Sequence, residues 1–123
     1  MRLAKLIPAS FLLATGFTML VAAKTRPLPL MTGEVCIFKF EDKNSNGVQD
    51  PGEPPMAGWN FTVSPGGPTV TTGPTGKACF SMVPGNYLIS EQPQLGWGSV
   101  GPKHVHVIAN HKTLVTFANT RVM

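Results

Sequence analysis

Residues 33–63 read GEVCIFKFEDKNSNGVQDPGEPPMAGWNFTV: a strand-like run, a polar loop and a second strand-like run in direct succession. In the first run Val35, Ile37 and Lys39 share one parity and Cys36, Phe38 and Phe40 the other, the period-two alternation of an extended chain. Proline lacks a backbone N–H and pushes the residue before it out of the helical region, so Pro51, Pro54 and Pro55 bar a helix after the loop. The fragment belongs to a β protein.

Outward from it, 12 prolines and 13 glycines divide the chain, and no stretch beyond residue 24 holds helical spacing for more than a turn. The segments between these breakers are short and rich in Val, Ile, Phe, Thr and Tyr. Strands are predicted near 34–40, 58–64, 69–72, 77–83, 86–92, 103–109 and 112–119, the count and length of an all-β sandwich of two packed sheets. The domain is expected over 33–123, after an extended, proline-containing arm at 24–32 whose Pro27 and Pro29 cannot serve a central ladder.

Residues 1–23 carry Arg2 and Lys5 ahead of an apolar stretch ending in Ala22 and Ala23, which reads as a signal peptide cleaved before Lys24. An uncleaved anchor is the alternative, and Pro8 and Gly16 oppose it. The chain is expected to be secreted or held at the cell surface, with a periplasmic location also open, and to meet the membrane only during export. Beyond residue 23, eight Lys and Arg face six Asp and Glu, and the basic residues are scattered singly. Such scatter offers no patch for nucleic acid or for anionic lipid. Cys36 and Cys79 enter an oxidising compartment, where an even count is expected to pair; two buried free thiols are the other arrangement. Their bridging requires neighbouring strands.

The loop DKNSNGVQDPGE, residues 42–53, follows the spacing of a calcium loop. Asp42, Asn44, Asn46, Asp50 and Glu53 place oxygens at the first, third, fifth, ninth and twelfth positions, Val48 offers a carbonyl at the seventh, and Gly47 makes the sharp turn at the sixth. Ca2+ is the cofactor expected. A plain Asn/Gly turn is the alternative, which so complete a match disfavours. Extracellular calcium modules work at about 10⁻⁴ to 10⁻³ M, and the expected role is structural.

Taken together, residues 33–63, the run TGPTGKACFSMVPGNYLISEQPQLGW at 72–97 and LVTFANT at 114–120 resemble the B-type repeat domains of Gram-positive surface adhesins: the calcium-binding B repeats of serine-aspartate-repeat proteins and the prealbumin-like B-type modules of collagen adhesins. The resemblance covers roughly residues 33 to 120. It implies a seven-stranded sandwich that acts as a rigid spacer or presentation module, although this chain has a single copy and ends at NTRVM without a wall-sorting tail.

The resemblance also implies a spontaneous amide bond between Lys39 and Asn119, promoted by Glu91. Alternation is compatible with it, since Lys39 has the parity of Val35 and Ile37, Glu91 that of Tyr87 and Ile89, and Asn119 that of Val115 and Phe117. The contrary arrangement puts Lys39 on an edge strand with its amine in water, Glu91 on the surface and Asn119 in a fraying end. Phe38 and Phe40 compete for the inward face of the first strand.

Other candidates are weaker. His104 and His106 have the spacing of a chelating pair, but Val105 and Val107 make the polar face of an amphipathic strand the simpler reading. Trp97, in a Gly-rich loop, is a candidate for stacking on a glycan, and Trp59 reads as a core plug. No serine or cysteine sits with a recognisable base, so an enzyme is not expected. The functional expectation is a calcium-binding structural or adhesive module. The alternatives are a glycan- or protein-binding module, or self-association in which the arm pairs onto a neighbour's sheet edge.

Overall fold

The computed structural model describes residues 31–122. The predicted signal peptide and nearly all of the predicted arm lie outside these residues. Among the described residues there is no helix, and seven strands form two sheets. The strands are β1 (Gly33–Glu41), β2 (Asn60–Ser64), β3 (Thr69–Thr71), β4 (Lys77–Met82), β5 (Gly85–Glu91), β6 (Lys103–Val107) and β7 (Lys112–Asn119). One sheet has the order β4-β1-β7 and the other β3-β2-β5-β6. All seven fall within about two residues of their predicted positions, because breakers such as Pro84-Gly85 and Gly101-Pro102 bound the runs sharply.

The inward residues of both sheets meet in one core. Val35 and Ile37 of β1 and Val115 and Phe117 of β7 face Phe61 and Val63 of β2, Tyr87 and Ile89 of β5, and Val105 and Val107 of β6, with Trp59 and Met56 closing one end. The rings of Phe61 and Phe117 meet across the sheets at 4.8 Å. Each such side chain stabilises the fold by about 1.5 to 3 kcal/mol on burial, and their strict alternation fixes which neighbours face inward.

Two features of β1 set up everything that follows. It is the central strand of its sheet, antiparallel to β4 and parallel to β7. Its far end is extended by the segment after the polar loop, where Glu41 N donates to Pro54 O and Met56 N to Lys39 O, both at 2.9 Å. Phe40 is buried, yet it lies outside the core cluster and stacks on Phe38 at 5.8 Å. The competition between phenylalanines and Lys39 for the inward face is thereby resolved in favour of the lysine.

In the β1–β4 ladder Cys36 stands directly opposite Cys79, and the two form a disulfide on the face turned away from the core. Glu34 lies beside these sulfurs, but both are consumed in the bond and are not free to ligate a metal.

Candidate functional site

Near the end of β1 the core contains a lysine. Lys39 is fully buried, its direction fixed by Val35 and Ile37 on the same face, and its backbone N–H donates to Gly76 O at 2.7 Å. Gly76 adopts φ of +78° there, and a Cβ at this position would collide with Lys39 O and Pro55, so the turn before β4 requires glycine. The edge-strand arrangement considered for Lys39 does not hold, since β4 and β7 flank β1 on both sides.

Three strands from both sheets deliver the partners. The Lys39 amine contacts Glu91 Oε1, from the end of β5, and Asn119 Oδ1, from the end of β7. Asn119 is buried and its Nδ2 donates to Glu91 Oε2 at 2.8 Å and to Gly98 O at 2.9 Å. The Glu91 carboxyl thus bridges the amine on one oxygen and the carboxamide nitrogen on the other. The parallel register, with Glu41 opposite Asn119, sets Lys39 two residues diagonally from Asn119 on the shared inward face.

The walls of this site are aromatic and dry. Trp59 places its ring 4.0 Å from Lys39 Nζ, and Trp97 meets Trp59 edge-on at 5.8 Å. Removal from water disfavours the charged amine and pushes Lys39 below its ordinary 10.5, although the hydrogen bond and charge of Glu91 pull the other way. A neutral amine is a nucleophile; an ammonium is not.

The family resemblance named Lys39, Glu91 and Asn119 together, and their cover was missed. Gly98 contributes only a backbone carbonyl, for which no sequence signal exists. Trp97 is half-buried: the Arg121 guanidinium lies 4.6 Å over its ring and its backbone bridges to Arg121. Arg121 also reaches Glu41 at 3.4 Å.

The polar loop begins one residue beyond β1. Asp42 N donates to Asn119 O at 2.8 Å, so the loop is pinned to the same strand end as the lysine site. Asp42 accepts from Gly47 N at 2.7 Å and from Asn46 N at 3.2 Å; Glu53 accepts from Lys43 N and Asp50 N, each at 2.7 Å. The amides of Asn44 and Asn46 converge on Asp50 Oδ2 at 2.9 and 2.7 Å. A half-turn of either amide exchanges its nitrogen for its oxygen, so the two amide oxygens can be brought to a common point beside Asp50. The donor set is all oxygen, carries three carboxylates and suits a hard cation such as calcium. Val48 stands exposed at its place in the loop. A separate surface concavity, lined by Thr32, Glu34, Ser81, Asn110 and His111, lies at the opposite end of β1 and contains none of this chemistry.

No protein-family profile and no curated protein sequence matches the chain. Solved structures do. The minor pilin GBS52 of Streptococcus agalactiae superimposes with a TM-score of 0.63 at 18% identity, over 76% of this chain and 46% of that one. The shaft pilin SpaA of Lactobacillus rhamnosus GG gives 0.61 at 16% identity, over 75% and 52%. The Bacillus anthracis TIE protein gives 0.59 at 23% identity, over 75% and 17%. The chain therefore has a pilin-like sandwich fold and spans about half or less of each of these proteins.

An Asn119→Ala variant, which has no carboxamide at this position, opens the Lys39 amine to lysine-selective NMR. Its titration is expected below 10.5. The unfolded chain then holds that proton more tightly than the folded one, so the variant gains stability as pH rises from the lowered value to 10.5. A value at or above 10.5, with stability falling over that window, contradicts the dry site.

Proposed function

We propose that this chain is an extracellular load-bearing module of a Gram-positive surface assembly, with an amide bond joining Lys39 to Asn119 and a calcium ion in the loop at 42–53. The observation that carries the reading is the meeting of a buried lysine, carboxyl and carboxamide at the end of the two strands that begin and end the domain. The pilin-like fold supports the same reading.

The chemistry is a single self-reaction. Neutral Lys39 Nζ attacks Asn119 Cγ, Glu91 takes the proton from Nζ on Oε1 and a proton reaches Nδ2 from the carboxyl. The Cγ–Nδ2 bond breaks, a new Cγ–Nζ amide forms and ammonia departs. Gly98 O holds the leaving nitrogen in place, and the aromatic walls keep water from competing for Cγ.

Mechanics follows from topology. β1 and β7 are parallel, so the chain enters at one end of the sandwich and leaves at the other, and tension is carried in shear. With the bond in place, force passes from β1 directly to the exit of β7, and the 80 residues of separation are spared. Calcium would add to this by drawing Asp42, Asp50 and Glu53 together at the same end.

Two experiments test the reading. Pulled under reducing conditions, which open the Cys36–Cys79 disulfide, between handles placed ahead of Gly33 and after the C-terminus, the wild-type domain is expected to show no unfolding step. Lys39→Ala is expected to release about 27 nm, 80 residues at roughly 3.4 Å each. A wild-type step of that size overturns the crosslinked module. Separately, millimolar calcium is expected to stabilise the fold by about 1 to 2 kcal/mol over chelator, and Asp50→Asn to remove most of the gain; identical melting with and without calcium rejects the metal.

A further inference from the structure

The outer face of the four-stranded sheet carries no Lys, Arg, Asp or Glu along its strands. Thr69 and Thr71 of β3, Thr62 of β2, Leu88 and Ser90 of β5 and the two histidines of β6 occupy it. Lys103, the nearest cation in sequence, turns the other way and places Nζ 5.3 Å from the Phe117 ring. The burial of Val105 and Val107 fixes the rotation of β6, so His104 and His106 are both forced outward and both are exposed.

We propose that His104 and His106 form a chelating pair for a borderline divalent transition-metal cation, Zn2+ or Cu2+, with Asn86 positioning the second ligand. Residues two apart on a strand are separated by about 6.6 Å along it, and each imidazole reaches inward to a shared ion at about 2.0 to 2.1 Å. His106 carries the supporting contact: its Nδ1 lies 2.7 Å from Asn86 Oδ1, directly across the ladder. With Asn86 accepting through Oδ1, Nδ1 is the donor and Nε2 is the nitrogen left to face a metal. A metal-binding imidazole is oriented in this way, by a partner outside the coordination sphere. His104 faces Leu88, which offers no polar partner to compete for its ring.

The face has no fixed positive charge to repel a cation. β6 is also the edge of its sheet, so the coordination positions left over by two imidazoles open to water or to a donor from another molecule. Imidazole nitrogen selects Zn2+ and Cu2+, whereas the loop at 42–53 offers only oxygens, so the two sites differ in preference.

The test is calorimetric titration of Zn2+ into the full-length exported protein in excess calcium, which fills the loop, with the histidine ring signals followed by NMR. One equivalent is expected to bind and to shift the His104 and His106 rings together. His104→Ala and His106→Ala are each expected to weaken binding at least tenfold. Asn86→Ala is expected to weaken it about tenfold by loosening the tautomer, and His111→Ala to leave it unchanged. All four positions are exposed, and an unaltered melting curve verifies the fold of each variant. Equal Zn2+ binding by wild type and the His104→Ala/His106→Ala double variant, no binding by wild type, or a first response at His111 overturns the proposal.

Discussion

The rest of this sandwich is organised around one lysine with nowhere to put a charge. Lys39 is among the largest fully buried side chains and stands in the central strand of its sheet. A solitary ammonium in such a place is prohibitive, and a buried ion pair recovers its desolvation only with excellent geometry. Glu91 and Asn119 supply that geometry from two other strands. A neutral amine between Glu91 and Asn119 satisfies its hydrogen bonds without an ammonium being buried.

Other features converge on the same strand. The disulfide ties β1 to β4 three residues after the start of β1, while the polar loop is fastened to Asn119 through the backbone of Asp42. Trp59 serves both the core cluster and the lysine wall. The proposed Lys39–Asn119 bond would close a loop over 80 residues and, counted without the disulfide, remove chain entropy worth about 4.5 kcal/mol from the unfolded state. One strand thus carries the disulfide and the buried lysine and leads into the polar loop.

Much of this was legible in the chain. Lys39, Glu91 and Asn119 were named by resemblance, and alternation was compatible with inward faces for all three; the burial of Val35, Ile89 and Phe117 settles it, against the claim of Phe38 and Phe40 to the inward face of β1. The loop at 42–53 was legible from its oxygen spacing. Strand order was not: Cys36 opposite Cys79, and β7 parallel beside β1, depend on pairings between segments far apart in sequence. Nor was the cover. Phe40 escapes the core because residues 54–56 return along β1, and Trp97 is held by Arg121, contacts made by irregular segments that carry no periodicity to read. Gly98 acts through its carbonyl, which every residue has.

The most direct measurement is the mass of the exported protein after denaturation and reduction, with digestion to locate any branched peptide. The account requires a deficit of about 17 Da, the mass of ammonia, carried by a fragment in which the peptide containing Lys39 is joined to the peptide containing Asn119. The full sequence mass, with Lys39 and Asn119 recovered on separate unmodified peptides, contradicts it.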